Sequence, residues 1–351
     1  MPIKDILNKS WQAIAIRDYE TAEKLALDLI RLDPEISGSY LLLGNIYTKT
    51  GQNKKAIQNF RKSIELNSDN PEAYNNIAVI FRRTGNLSSS LSSIKKAYSI
   101  APERPDICYN IANLYKEMGD VKNAVHFYKK ALKFKPDFTI VYNNIGTLYD
   151  ENNDLEAALE WYRKGLETDP NNPTLHYNIG VILESENKLE EALVEYRRAL
   201  KSKPGWIDGL NNLGITLQKL GNHDEALNMF RNMLKVDSDS ILGHNNIGVA
   251  LTNLGKLEEA EKHLTRALEF DPGYFKAFFN LSKVKEAQGK KEEALETLRK
   301  LHQRDEKNIE VLLHLGKLLM DKGSLSEASI HIRNLLRLDP DNSIGYMILG
   351  L

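Results

Sequence analysis

Asparagine recurs every 34 residues through most of the chain. Its side-chain amide both donates and accepts hydrogen bonds, which suits the N–H and C=O groups of an extended peptide backbone. Because asparagine is a mediocre helix former, a regular row of it needs a reason other than helix stability. The row consists of Asn76, Asn110, Asn144, Asn178, Asn212, Asn246 and Asn280. We therefore predict that these residues bind an extended segment of another polypeptide.

Other residues that could do chemistry form no reactive pattern. The eight histidines show no metal-ligand spacing, and His176 and His244 fall at positions that pack in the core. Cys108 takes a similar place, where a buried filler is expected rather than a nucleophile. The separation of Gly248 and Gly255 is too long for a phosphate-binding loop. The sequence thus predicts no enzyme activity, no metal and no cofactor.

The same period determines the helices that carry these residues. When each unit is numbered from 1, positions 4, 7, 8 and 11 follow the spacing of one helix face, and positions 20, 24, 27 and 28 follow that of a second helix. Position 8 is small, and position 15 is usually a glycine that can end a helix in a left-handed turn. The complete units begin at Ser37, Pro71, Pro105, Thr139, Pro173, Ile207, Ile241, Phe275 and Ile309. Each unit is predicted to be two helices joined by a turn.

The unit from Thr139 illustrates the pattern, with Tyr142 at position 4, Gly146 at 8, Ala158 at 20 and Pro170 at 32. It resembles the tetratricopeptide repeat. The resemblance implies an all-α fold, a right-handed α-α superhelix of antiparallel helix pairs whose first helices line a concave groove. Nine such repeats occupy residues 37–342. Residues 1–36 are expected to form a degenerate N-terminal capping repeat, and 343–351 to begin a further, incomplete one.

Position 6, where the asparagines stand, points away from the packed face of the first helix. Two interpretations follow: the amides bind a peptide backbone in the groove, or they hydrogen-bond between adjacent first helices. Neighbouring positions would add selectivity to a peptide site. Position 5 holds Asn75, Tyr109, Asn143 and Tyr177 in successive repeats, and Arg83 stands at position 13. All of these are predicted groove residues.

A protein-interaction scaffold is the function that this pattern favours, with two alternatives. The asparagine column also resembles the substrate-recruiting arm of O-GlcNAc transferases, whose catalytic domain would lie outside this chain. Alternatively, the chain is an assembly factor that forms a homo-oligomer through its incomplete C-terminal repeat. A clamp for a terminal carboxylate is disfavoured, because Leu41, Asp106 and Asn110 stand where that clamp requires cations.

Composition narrows the partners further. A formal net charge of −1 argues against a general nucleic-acid binder. No apolar run approaches the roughly 18 residues of a membrane helix, and residues 1–18 lack the pattern of a signal peptide. A single cysteine fits a reducing compartment. We predict a cytoplasmic protein that binds an extended protein partner, without nucleic acid and without membrane insertion.

Overall fold

The computed structural model describes residues 3–350, and every regular element in that range is an α-helix. The helices group into two compact units, residues 1–170 and 171–351. The division falls at a boundary between repeats, so no helix pair is split between the two units. The predicted all-α fold of paired helices is confirmed within each unit.

The first unit contains ten helices, which follow one another as five pairs. They are α1 (Ile3–Ala15), α2 (Tyr19–Leu32), α3 (Ser37–Lys49), α4 (Asn53–Leu66), α5 (Pro71–Arg83), α6 (Leu87–Ile100), α7 (Pro105–Glu117), α8 (Val121–Phe134), α9 (Thr139–Glu151) and α10 (Leu155–Thr168). The segment predicted to be a cap thus forms a helix pair of its own, α1 and α2, and its capping role stays a prediction.

The second unit contains five further pairs and one short terminal helix. They are α11 (Pro173–Ser185), α12 (Leu189–Ser202), α13 (Ile207–Lys219), α14 (His223–Val236), α15 (Ile241–Asn253), α16 (Leu257–Phe270), α17 (Phe275–Ala287), α18 (Lys291–Arg304), α19 (Ile309–Asp321), α20 (Leu325–Leu338) and α21 (Ser343–Leu349). The last helix begins the incomplete repeat, whose final residue lies outside the described part of the chain.

A three-residue turn reverses the chain inside each pair, and its middle residue is position 15. Gly51, between α3 and α4, has φ +75° there, and the other position-15 glycines are similar. Where glycine is missing, Arg17, Asn153 and Asn187 adopt the same conformation with φ near +60°. Asparagine tolerates this left-handed region better than most residues, whereas arginine is strained in it. The turn is therefore imposed by the packing of the pair.

Close contact between the two helices of a pair depends on the small residue at position 8. A Cβ atom added to Gly180 would lie 2.7 Å from Cε1 of Tyr196, the position-24 ring on the second helix. Real Cβ atoms do not approach so closely, so the glycine lets the ring lie against the backbone of α11. Gly214 and Phe230 repeat this arrangement. Tyr196 and Phe230 are fully buried in consequence.

The repeat that begins at Phe275 departs most from the pattern. Position 11, aromatic in several repeats, is Lys285 here, and its ammonium bridges Glu261 at 2.5 Å and Glu293 at 2.6 Å. Position 8 is Ser282, whose buried hydroxyl donates to the carbonyl of Phe279 at 2.7 Å. Both polar side chains therefore have partners, and the helix pair is complete.

Candidate functional site

In the first unit, the asparagines at position 6 connect each first helix to the one before it. Asn110 Nδ2 on α7 donates to Asn75 Oδ1 on α5 at 2.9 Å. Asn76 Nδ2 on α5 donates to Asn45 Oδ1 on α3 at 2.7 Å. The hydrogen bonds thus run from repeat to repeat, as the second interpretation of the sequence expected.

The second unit repeats this connection. Asn246 Nδ2 on α15 donates to Asn211 Oδ1 on α13 at 2.8 Å, and Asn280 Nδ2 on α17 donates to Asn245 Oδ1 on α15 at 2.9 Å. Inside a helix, the position-5 amide also donates to its neighbour, as from Asn245 to Asn246 Oδ1 at 3.1 Å. We call the hydrogen bonds between positions 5 and 6 of consecutive repeats the asparagine ladder.

Tyrosine replaces asparagine as the ladder acceptor in some repeats. Asn212 Nδ2 donates to the hydroxyl of Tyr177 at 3.1 Å, and the Tyr177 ring packs against Trp206 with centroids 4.5 Å apart. In the first unit, Asn144 Nδ2 lies 3.5 Å from the hydroxyl of Tyr109 and 3.2 Å from that of Tyr128. Tyrosine at position 5 therefore performs the ladder role of asparagine and adds an aromatic contact.

The two ladder positions differ in exposure. Asn75 and Asn245 at position 5 are 6% and 4% exposed, whereas Asn110 and Asn280 at position 6 are half-buried. In these two repeats position 5 is thus buried, which places Asn75 beneath the surface that the sequence assigned to it, whereas Asn143 and Asn211 at position 5 are half-buried. Asn246 is an exception at position 6, with 8% exposure.

The remaining predicted groove residues lie on the first helices at various depths. Asn143 and Asn178 are half-buried, and each has an interaction partner. Arg83, the last residue of α5, is exposed. Beside it, Arg82 pairs with Glu117 of the next first helix. Charged side chains at positions 12 and 13 therefore connect these neighbouring repeats at the C-terminal ends of their first helices.

The ladder leaves part of the amide available at Asn110 and Asn280. An asparagine side chain carries two N–H hydrogens and an acceptor oxygen, and the ladder bond uses one hydrogen. The oxygens of Asn110 and Asn280 accept no hydrogen bond from residues 3–350, and neither is among the buried atoms left without a partner. These amides are therefore held in place with one N–H hydrogen and the acceptor oxygen unused by residues 3–350.

Residues considered for chemistry lie in the core as predicted. Cys108 is buried, and burial raises the pKa of its thiol to about 11, which disfavours the reactive thiolate. His176 is buried, with Nδ1 2.6 Å from Glu195 Oε2 on the paired helix. His244 Nδ1 lies 3.0 Å from His263 Nδ1 in the equivalent place. Among the described residues, no group of three or more potential metal ligands occurs.

One surface was missed by the sequence reasoning. A groove of about 780 Å³ lies between α17 and α19, and only residues of these two first helices line it. Its signal was readable, because lysine stands at position 9 in both repeats, as Lys283 and Lys317. Among all the described helices, none is both long and apolar enough to cross a membrane.

Comparison with family models finds repeat matches along most of the chain. All of the matching models describe the tetratricopeptide repeat, and together they extend from residue 44 to residue 350 with short gaps. The matched segments are 44–85, 71–104, 105–138, 148–186, 173–205, 206–236, 241–274 and 286–350. A comparison with curated proteins finds no matching relative.

Solved structures share the fold at low sequence identity. A tetratricopeptide repeat protein from Parabacteroides merdae is 18% identical with a TM-score of 0.56, covering 70% of this chain and 97% of its own. The C-terminal part of a repeat protein from Cytophaga hutchinsonii is 16% identical with a TM-score of 0.58, covering 68% and 98%. The Cut9–Hcn1 hetero-tetramer of the APC/C gives 12% identity and a TM-score of 0.52, covering 100% and 96%. These similarities establish the fold.

Proposed function

Because this chain belongs to the tetratricopeptide-repeat family, whose arrays present extended binding surfaces, we propose that it is a protein-interaction scaffold. Its ligand is an extended segment of a partner protein, held along the position-6 asparagines of the first helices. Those of the first unit are Asn76, Asn110 and Asn144, and those of the second are Asn178, Asn212, Asn246 and Asn280. Each unit offers its own column.

The observation that carries this proposal is the orientation of the half-buried amides. The ladder bond of Asn110 to Asn75 fixes its side chain, as does that of Asn280 to Asn245. A side chain already held in one rotamer loses less entropy on binding than a free one. Its open N–H and C=O complement the alternating groups of an extended backbone. The ladder therefore supports binding as well as packing.

The distance between first helices determines which residues of such a ligand contact the asparagines. Packed helices lie roughly 9–10 Å apart, and an extended peptide advances about 3.3 Å per residue. One asparagine would thus meet every third residue of the ligand. Net hydrogen bonds contribute about 0.5–1.5 kcal/mol each, and ordering a flexible ligand offsets part of that sum. We expect modest affinity with tolerance of many side chains.

The test compares two double variants that break the same ladder bonds. Asn110→Ala with Asn280→Ala removes the half-buried position-6 amides, and Asn75→Ala with Asn245→Ala removes their buried acceptors. Peptides selected from a random library on the native protein serve as ligands in fluorescence polarisation. We expect the position-6 variant to bind about tenfold more weakly, from the loss of two amides, and the position-5 variant to bind within about twofold.

Thermal unfolding monitored by circular dichroism checks that both double variants remain folded and lose similar stability. Equal affinity losses in the two variants would show that the asparagines act only through packing, and the proposal would fail. It would fail equally if the position-6 variant bound its peptides as tightly as the native protein.

The two alternative functions stay predictions with their own tests. Reading the gene downstream of Leu351 addresses the transferase-arm hypothesis, because a glycosyltransferase domain would have to be encoded there. Mass measurement at several protein concentrations addresses self-association through α21. Neither alternative conflicts with a peptide-binding column.

A further inference from the structure

The groove between α17 and α19, here called the α17–α19 groove, differs chemically from the asparagine column. Its floor is formed by Phe275 and Phe279 on α17 and Leu313 on α19. Lys283 and Lys317, each one turn after position 5, lie beside this floor. A volume of about 780 Å³ is within the range of sites that hold small ligands or a few side chains.

The apolar part of the groove is a continuous row of rings. Phe275 and Phe279 are stacked with centroids 6.2 Å apart, and His314 meets Phe279 edge-on at 5.5 Å. These rings are only partly buried, so they offer apolar area to a ligand. The row joins both helices and therefore forms a defined binding surface.

The cationic part consists of lysines that lack an acidic partner. Lys283 Nζ lies 4.4 Å from the centroid of the Phe279 ring, and Lys317 is exposed on the next helix. Together with Lys276 they form no ion pair with any of residues 3–350. Three ammonium groups beside an apolar floor are complementary to carboxylates carried on an apolar segment.

The acidic residues of the lining follow the exposed lysines by about one helical turn, Glu286 three residues after Lys283 and Asp321 four residues after Lys317. Glu286 is engaged by His314, whose Nε2 lies 2.6 Å from its Oε2. Glu310 and Asp321 stand near opposite ends of α19, at positions 2 and 13. The middle of the groove, at position 9, is consequently cationic, one end carries both Lys276 and Glu310, and the other end carries Glu286 and Asp321.

Neighbouring repeats of the same unit lack this arrangement. Position 5 is asparagine on α13 and α15, and position 9 is Ile215 and Val249 there. On α17 and α19, position 5 becomes Phe279 and Leu313. Compared with α13 and α15, position 5 thus changes from polar to apolar on α17 and α19, and position 9 changes from apolar to lysine.

We propose that the α17–α19 groove is a side-chain-specific subsite for an acidic peptide segment that carries a large apolar or aromatic residue. The apolar side chain packs on Phe279 and Leu313, while flanking carboxylates pair with Lys283 and Lys317. The inference rests on the proposed function in taking the ligand to be an extended protein segment. It adds the sequence class that such a segment must have at this point.

Three fluorescein-labelled peptides of about eight residues probe the groove. The first, Gly-Glu-Glu-Leu-Phe-Glu-Glu-Gly, carries both features. The second replaces every Glu with Gln, and the third replaces Leu-Phe with Ala-Ala. We expect the full-length protein at low salt to bind the first peptide at least about tenfold more tightly than either control, with affinity falling as salt screens the charges.

Charge reversal tests the lysines without disturbing the core. Lys283→Glu with Lys317→Glu should abolish the preference for the acidic peptide, since both side chains are exposed. The matched control, Lys201→Glu with Lys235→Glu, reverses two exposed lysines on second helices and should keep that preference. Equal binding of the three peptides, or an undiminished preference after the Lys283 and Lys317 reversals, would overturn the proposal. So would a failure of the native protein to bind the acidic peptide.

The two proposals fail separately. Because Asn280 lines the α17–α19 groove as well as belonging to the asparagine column, the Asn110→Ala single variant reports on backbone binding with library peptides, and the lysine reversals report on the short acidic peptide. If the short acidic peptide still binds the protein that lacks an asparagine amide, the α17–α19 groove proposal stands. Library peptides that bind normally to the lysine reversals still support the asparagine column.

Discussion

The asparagine at position 6 illustrates how one side chain serves two purposes. Its first N–H is used in the ladder, as from Asn246 to Asn211, and that bond connects adjacent first helices. Leaving a buried ladder acceptor such as Asn75 or Asn245 without a donor would cost about 1–3 kcal/mol. Asparagine therefore has a structural role at position 6 in seven of the nine repeats. The functional role that we propose falls to amides whose oxygen accepts no hydrogen bond from residues 3–350, such as Asn110 and Asn280.

Glycine at position 8 is the residue on which the packing of a pair depends most directly. We predict that Gly180→Ala destabilises the fold by about 1–3 kcal/mol, because its Cβ would overlap the buried Tyr196 ring. Urea unfolding measures the change. Gly205→Ala is the matched control, since its Cβ would lie 3.6 Å from Val236 in ordinary contact. A Gly180→Ala protein as stable as the control would show that the ring moves aside freely.

At the scale of elements, positions 4 and 23 meet across the helix pair in several repeats. In the repeat from Pro173 they are His176 and Glu195, and in the repeat from Ile241 they are His244 and His263. Burial, and for His263 the neighbouring His244, lowers the pKa of both histidines of the second pair from 6.5. The joint between α15 and α16 therefore favours neutral imidazoles.

These lowered pKa values predict a loss of folding stability in mild acid. Because the folded pKa values are lowered, the unfolded chain binds these protons first, so stability is full above about pH 6.5 and declines as the pH falls below it. We expect urea unfolding of the native protein to weaken between about pH 7.5 and pH 5.5. His263→Gln should reduce that decline, and replacing the exposed His126 with Gln should leave it intact. An unchanged decline in the His263 variant would contradict the assignment.

Much of the architecture could be predicted from the sequence, because the strict 34-residue period makes residue types at several repeat positions indicate the same helix pair. The position-8 and position-15 columns predicted the close pair and its turn, which Gly180 and Gly51 then showed. The depth of Asn75 was not readable, because a helical wheel describes one helix and the covering surface comes from the next repeat. The lysines of the α17–α19 groove could be read at position 9, but their proximity to the rings could not, because it arises only when two helices lie side by side.

At the scale of the molecule, the chain is a linear series of similar pairs. Within each unit, paired helices pack against each other, and most of them also pack against a helix of an adjacent repeat. In such arrays stability is approximately a sum of intrinsic and nearest-neighbour terms. Damage to one repeat is then expected to spread to its neighbours and fade with distance along the sequence. A globular core of similar length would respond as a whole.

Hydrogen exchange after a single core substitution tests this behaviour. In Gly44→Val, the added side chain would overlap Phe60, which a Cβ atom alone would already approach to 2.5 Å. We expect faster amide exchange through residues 19–83, by about tenfold or more if the local loss exceeds about 1.4 kcal/mol, and unchanged exchange in residues 275–338. Gly38→Val is the control, since only Ile36 lies near its Cβ, at 4.0 Å. Uniformly faster exchange along the whole chain would mean that the repeats unfold as one cooperative body, contrary to the nearest-neighbour account.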